Sequence, residues 1–285
     1  MRKTINDLKK MKAEGKKIAQ LTAYDYTTAK IIDSAGIDMI LVGDSLGNVA
    51  MGYSTTIPVT MADMVHHSAC VSRGCDNAFL VCDMPFMSYQ ADIPDAVKNA
   101  GRLIKEGGAN AVKLEGGVEY EDTIRAIVNA SIPVVAHIGL TPQSVNTLSG
   151  YKVQGKTTEK AEKLIKDAKA IKRAGAFACT LECVPSDLAK YITEDIFGDD
   201  VISIGIGAGK DTDAQVLVYA DMCGLNTGRK AKFVKTYANM ADVLTKAVKD
   251  YMSDVESGEY PSAEYGYKID SEVMDKVIEK SELEF

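Results

Sequence analysis

The chain has 285 residues, 46% of them hydrophobic, and a formal net charge of −7. That length suits one large α/β domain or two smaller ones. The acidic balance and the lack of a basic face argue against a nucleic-acid binder, and no apolar run approaches the roughly 18–20 residues of a membrane span.

The segment opening Met1-Arg2-Lys3-Thr4 lacks the apolar core of a signal peptide. Residues 4–14 carry a helical pattern, with Lys9, Lys10, Lys12, Lys16 and Lys17 forming the densest basic group, read as a solvated helix face. A strand is predicted over 17–23 and a helix over 25–35, stopped by Gly36. The second strand runs into Asp44 and is followed by a long loop, 45–56, then a helix near 60–73. The third strand ends at Asp83, with a helix near 93–106, and the fourth carries Lys113 and Glu115, with a helix near 119–130. The fifth strand spans Pro133–His137, and a second long loop covers 139–156 before a charged helix at 157–174. The sixth strand ends at Glu182, the seventh covers 201–207 and the eighth 215–219; helix is predicted again from about 230 to 255, with a polar tail.

About eight β-then-α units in roughly 250 residues predict a (β/α)8 TIM barrel, with an open doubly wound sheet as the alternative. The first strand exit has no Gly-x-Gly-x-x-Gly, against a Rossmann domain. No linker rich in Gly, Ser or Pro interrupts the chain, so 1–285 is read as one barrel domain with an N-terminal helical addition and a helical C-terminal extension over 230–285. Cys70, Cys75, Cys82, Cys179, Cys183 and Cys223 form no Cys-x-x-Cys pair. They are read as small buried residues of a reducing compartment rather than zinc or redox groups.

Five ionisable residues stand at the exits of apolar strands: Asp44, Asp83, Lys113, Glu115 and Glu182. Charge at the end of a buried strand is costly unless it has a partner or a task, and ligands bind at that end of parallel sheets. Asp44 and Asp83 suit Mg²⁺, which takes one or two protein carboxylates and leaves other positions to water and substrate; helix capping is the competing role. Lys113 and Glu115 lie two apart on one strand and so face one side. Lys113 suits a substrate carboxylate or an enolate, and Glu115 a water bridge to the metal, against a plain ion pair at the rim. Glu182 ends an apolar strand, where desolvation would raise its pKa and make it a general base; a salt bridge to a neighbouring strand is the alternative. His137 also stands at a strand exit. His66 and His67, within a predicted helix, are read as structural, and Gly205-Ile206-Gly207-Ala208-Gly209 as either a phosphate turn or close packing.

Several ordered segments resemble one family: Val42-Gly43-Asp44-Ser45-Leu46-Gly47, Asp83-Met84-Pro85-Phe86, Val112-Lys113-Leu114-Glu115-Gly116-Gly117, His137-Ile138-Gly139-Leu140-Thr141-Pro142-Gln143-Ser144, Tyr151-Lys152-Val153-Gln154-Gly155 and Leu181-Glu182-Cys183-Val184-Pro185. The chain is similar to the ketopantoate (3-methyl-2-oxobutanoate) hydroxymethyltransferases. The resemblance implies a (β/α)8 barrel of the phosphoenolpyruvate/pyruvate type, cytoplasmic and often decameric. It implies transfer of a one-carbon unit from 5,10-methylenetetrahydrofolate to 3-methyl-2-oxobutanoate, giving 2-dehydropantoate on the pantothenate pathway. It also implies that Asp44 and Asp83 bind Mg²⁺ with Glu115 in the metal environment, and that Asp44, Ser45, Asp83 and Lys113 contact the keto acid. Glu182 matches the proton acceptor and His137 a residue lining the pocket. Asn48, Ser149, Asp211-Thr212-Asp213-Ala214-Gln215 and Phe197-Gly198-Asp199-Asp200 depart from the family's usual pattern. A Mg²⁺-dependent 2-keto-acid lyase or mutase and a non-catalytic barrel are the competing readings.

Overall fold

The computed structural model describes residues 1–283 except 149, 151, 227 and 229, so Ser149 and Tyr151, named above, lie outside the described residues. Eight parallel strands close into a barrel in sequence order: β1 (Ile18–Thr22), β2 (Met39–Val42), β3 (Phe79–Asp83), β4 (Ala111–Glu115), β5 (Val134–Gly139), β6 (Ala178–Glu182), β7 (Ile202–Ile206) and β8 (Ala214–Leu217). Parallel neighbours need long crossovers, and helices supply them. The helices are α1 (Ile5–Ala13), α2 (Tyr26–Ser34), α3 (Leu46–Val49), α4 (Met61–Gly74), α5 (Ile93–Lys105), α6 (Glu121–Asn129), α7 (Val145–Leu148), α8 (Thr158–Ala174), α9 (Ser186–Tyr191), α10 (Tyr219–Met222), α11 (Met240–Ser257) and α12 (Ser271–Leu283).

Two cores follow from the alternation of side chains along each strand. One fills the barrel interior with Ile18, Met39, Leu41, Phe79, Val81, Val135, Ile202 and Val216 among others. The other lies between strands and helices, where Ile40, Leu80, Val112 and Ala136 meet Met64, Leu103, Ile124 and Ile171. Helix α1 starts at a capping box between Thr4 and Asp7 and sends Leu8, fully buried, into the interior core. Lys12 Nζ bonds Val201 O (2.7 Å) and Asp213 (2.8 Å), and Lys17 Nζ bonds Thr212 O (2.6 Å), so part of the lysine group tethers the barrel rather than facing solvent.

Several elements differ from the sequence reading. The loop 45–56 contains α3, and the loop 139–156 contains a 3-10 turn (Pro142–Ser144) and α7. After β6, the unassigned stretch forms α9 continued by a π-helical turn, Ile192–Phe197, in which Thr193 Oγ1 bonds back to Ala189 O (2.8 Å). Helix α11 starts ten residues later than expected (240 against 230) because the preceding segment is drawn to the barrel: Phe233 packs on Gly207 and the Tyr237 N–H donates to Met222 O. Residues 1–237 form the barrel unit; a second compact unit begins at Ala238 and carries α11 and α12, the former displaying Val243, Leu244, Val248, Tyr251 and Met252 on its surface. The six cysteines are free, and no described helix is long and apolar enough to cross a membrane.

Leu8→Ala should lower unfolding stability by about 2–5 kcal/mol in a denaturant titration, the cost of emptying a fully buried leucine site. A change below about 0.5 kcal/mol, the range of surface substitutions, would show that α1 is not part of the core.

Candidate active site

The alternation that builds the interior core also builds the site. On β3, Phe79 and Val81 face inward and so does Asp83; on β4, Ala111 is followed by Lys113 and Glu115; on β5, Val135 by His137; on β6, Ala178 by Thr180 and Glu182. Each of these four strands is apolar low in the barrel and carries polar side chains toward its carboxyl end. Register places Asp83 beside Lys113, and Glu115 beside His137. Asp44 lies just past β2, where Gly43 permits the turn: a Cβ there would sit 2.8 Å from Ser45 Oγ and 3.5 Å from Asp83 Oδ2.

All seven residues singled out from the sequence (Asp44, Ser45, Asp83, Lys113, Glu115, His137 and Glu182) line one cavity of about 160 Å³. That is well under the roughly 300–1,000 Å³ of pockets for drug-sized ligands, and suits a compound of a few carbons. The wall facing the polar cluster includes Leu41, Ile206, Val216 and Leu217, with Phe233 also lining the cavity. Asp44, Asp83, Lys113, Glu115 and His137 are each no more than 5% exposed.

The cluster is crowded with negative charge. Asp83 Oδ2 accepts the Asp44 N–H at 3.0 Å. Asp83 Oδ1 is 2.7 Å from Lys113 Nζ, an ion-pair distance, yet the angle is not that of a hydrogen bond and this buried oxygen has no hydrogen-bond partner. Burial, then the charges of Asp83 and Glu115, push the Asp44 carboxyl up to about 8. Burial alone would lower the Lys113 ammonium; Asp83, Glu115 and Asp44 outweigh it and raise its pKa, so Lys113 is a fixed positive charge. His137 lies with Nδ1 3.5 Å from Glu115 and Nε2 3.2 Å from Glu182, again without hydrogen-bond angles. Burial works against its protonation, but the two flanking carboxylates prevail and raise it to about 9.

Asp44 and Asp83 offer hard oxygens, one of them, Asp83 Oδ1, buried without a hydrogen bond though ion-paired with Lys113; these donors fit Mg²⁺. Neither acts as a helix cap: the hydrogen bonds of their carboxylates go to Gln143 and to the Asp44 N–H. Among the described residues no three His, Cys, Asp or Glu side chains gather as a cage. Glu115 sits beside the two aspartates with Oε2 accepting the Gln143 N–H (3.0 Å) and Oε1 facing His137.

Other candidates separate from the site. His67 Nδ1 meets Tyr24 O at 2.7 Å on α4, and neither His66 nor His67 lines the cavity. The glycine run after β7 packs against protein: Gly207 takes φ +63, and a Cβ on it would sit 2.7 Å from the Phe233 ring. Gln143, Thr180 and Phe233 were missed. Thr180 was findable, two residues before Glu182 on one strand, whereas Gln143 reaches the site from a loop and carries no periodic signal.

A closed parallel barrel with acids and a lysine at its carboxyl mouth defines a class, the (β/α)8 TIM barrels with a polar site at the strand ends. Solved structures bear this out at the level of fold. A phosphonopyruvate hydrolase, solved with oxalate and Mg²⁺, matches with TM-score 0.59 at 13% identity over 92% of this chain and 93% of that one. A 2,3-dimethylmalate lyase, a PEP mutase/isocitrate lyase superfamily member, matches with TM-score 0.57 at 16% identity over 98% and 95%. Within that class the sequence is specific. The family model for ketopantoate hydroxymethyltransferase matches residues 2–263. The 3-methyl-2-oxobutanoate hydroxymethyltransferases of Clostridium novyi (strain NT) and Enterococcus faecalis (strain ATCC 700802 / V583) are 56% and 54% identical over 97% of this chain and 100% of their own length. The chain belongs to the ketopantoate hydroxymethyltransferase family.

The His137 shift has a sign that can be tested. A folded-state value raised from 6.5 to about 9 gives a stabilisation fully present below about pH 6.5 and lost as pH rises through about 9. With EDTA present, the melting-temperature gap between the parent and His137→Gln should be wide at about pH 6 and narrow by about pH 9.5; a gap that stays constant would show that the imidazole is neutral.

Proposed function

We propose that the chain transfers a hydroxymethyl group to 3-methyl-2-oxobutanoate, with 5,10-methylenetetrahydrofolate as donor, Mg²⁺ as metal and 2-dehydropantoate as product, a step of pantothenate biosynthesis. The observation that carries this reading is the small cavity itself. Its lining holds Asp44, Asp83 and Lys113 for the oxygens of a 2-keto acid, and Leu41, Ile206, Val216 and Leu217 for a branched alkyl group. The names of the relatives supply the substrate and the transferred group.

Asp44 and Asp83 would hold Mg²⁺, which, when bound, supplies polarisation of a carbonyl. The chain's own groups account for the rest. Lys113, locked in the positive state, stabilises the negative charge that develops on the keto-acid oxygen. Glu182 takes the proton from C3, and His137, 3.2 Å away, holds a positive charge beside it. The C3 carbon then bonds to the one-carbon unit of the folate, water supplies the hydroxyl, and tetrahydrofolate leaves. Leu41, Ile206 and Val216 exclude water around the reacting carbon. A lyase or mutase reading is disfavoured, because the barrels with those activities share only the fold at 13–16% identity. Assembly into a homo-oligomer, a decamer by family resemblance, is part of the proposal; the apolar side chains exposed along α11 support it.

Glu182→Gln should keep keto-acid binding and lower exchange of the C3 hydrogen in deuterated water by about 10²–10⁴-fold, read by proton NMR; exchange at the parent rate would remove Glu182 as the base. Asp83→Ala should abolish activity together with its dependence on added Mg²⁺, and an unchanged metal titration would contradict its role as ligand.

A further inference from the structure

Gln143 is 4% exposed, and every polar atom of its amide has a partner. Nε2 donates to Asp44 Oδ2 (2.9 Å) and to Met84 O (2.9 Å). Oε1 accepts from the Tyr89 hydroxyl (2.8 Å) and Gln90 Nε2 (3.1 Å). The backbone N–H of Gln143 donates to Glu115 Oε2 at 3.0 Å. A carbonyl only accepts, so Met84 O fixes which end of the amide carries the nitrogen. The Tyr89 hydroxyl, with one proton, lies 2.8 Å from Gln143 Oε1 and 3.1 Å from Glu115 O, the shorter contact being to Gln143, and it accepts the Glu115 N–H at 3.1 Å, so the path returns to the residue where it began.

This arrangement does two things. It ties Asp44 on the β2 exit, Met84 after β3 and Glu115 on β4 to one residue in the turn after β5. It also occupies only one oxygen of Asp44, Oδ2, and no hydrogen bond among the described residues engages Oδ1. Side chains that orient metal-binding carboxylates through hydrogen bonds tune affinity without touching the metal.

We propose that Gln143 is a positioning residue that presets the Asp44 carboxylate for the divalent cation, with Tyr89 locking the amide. The inference rests on the reading of Asp44 and Asp83 as cation ligands, and concerns how Asp44 is held rather than what the site transforms. Gln143 does not touch the reacting atoms. Its removal should therefore appear first in cation affinity and in the KM for a cation-chelating keto acid, with folding largely kept.

The test is calorimetric titration of Mg²⁺ into the parent protein and Gln143→Met, which has similar length but no donor, with thermal unfolding of both in EDTA. The parent should bind Mg²⁺, and Gln143→Met should bind it about 10- to 100-fold more weakly, with unfolding in EDTA near that of the parent. Affinity within about twofold of the parent would overturn the positioning role, whether or not the melting temperature falls, and leave the proposed function standing. Failure of the parent to bind Mg²⁺ would overturn both. If Gln143→Met does not fold, Tyr89→Phe decides in the same titration: it leaves the amide without its lock, so affinity should fall severalfold, and unchanged affinity would reject the inference.

Discussion

Like charge crowded into a dry space governs this molecule. Asp44, Asp83 and Glu115 share the barrel mouth with one ammonium, Lys113, and with His137, which two carboxylates push toward its charged form. Burial is the largest penalty on such a carboxylate and the neighbouring charges add to it; together they push Asp44 up to about 8. In the proposed function, a hard divalent cation would relieve that penalty better than a proton, because it would interact with both aspartates at once. The chemistry proposed for the site depends on that substitution.

The barrel makes such crowding possible. Closure of eight parallel strands sends alternate side chains to one axis, and the register brings Asp83 next to Lys113 and Glu115 next to His137. The lower interior is filled by Phe79, Val81, Ile202 and their neighbours, so the polar groups stand on a packed floor rather than over a channel. Helix α1 adds Leu8 to that same core. The mouth stays small because apolar residues of β2, β7 and β8 and the Phe233 ring complete it.

Much of this was legible in the sequence, for a physical reason. Strand exits are marked twice, by the end of an apolar run and by the charge that follows, so Asp44, Asp83, Lys113, Glu115 and Glu182 all drew notice without coordinates. Partnership was less legible. For Glu182 the sequence leaves two roles open, a desolvated base or a salt bridge to a neighbouring strand; the structure sets His137 of the adjacent strand 3.2 Å from it, a partner that no local pattern names. Gln143 sits in a 3-10 turn with no periodicity and reaches Asp44 through a 99-residue separation. The π-helical turn at Ile192–Phe197 and the apolar spacing of Val273, Met274, Val277 and Ile278 in α12 were also passed over. The first has no periodic signal in the sequence; Thr193 within it bonds Ala189 O and Ser203 Oγ. The second is helical spacing in a segment polar enough to pass for a tail.

The most direct test of a shared cation at the strand ends is anomalous scattering from crystals of the protein grown with Mn²⁺ and 3-methyl-2-oxobutanoate. A single strong peak bounded by carboxylate oxygens of both Asp44 and Asp83, with the keto acid completing its coordination, is the predicted result. A peak that contacts neither aspartate, or keto acid seated in the cavity with no metal beside it, would contradict it.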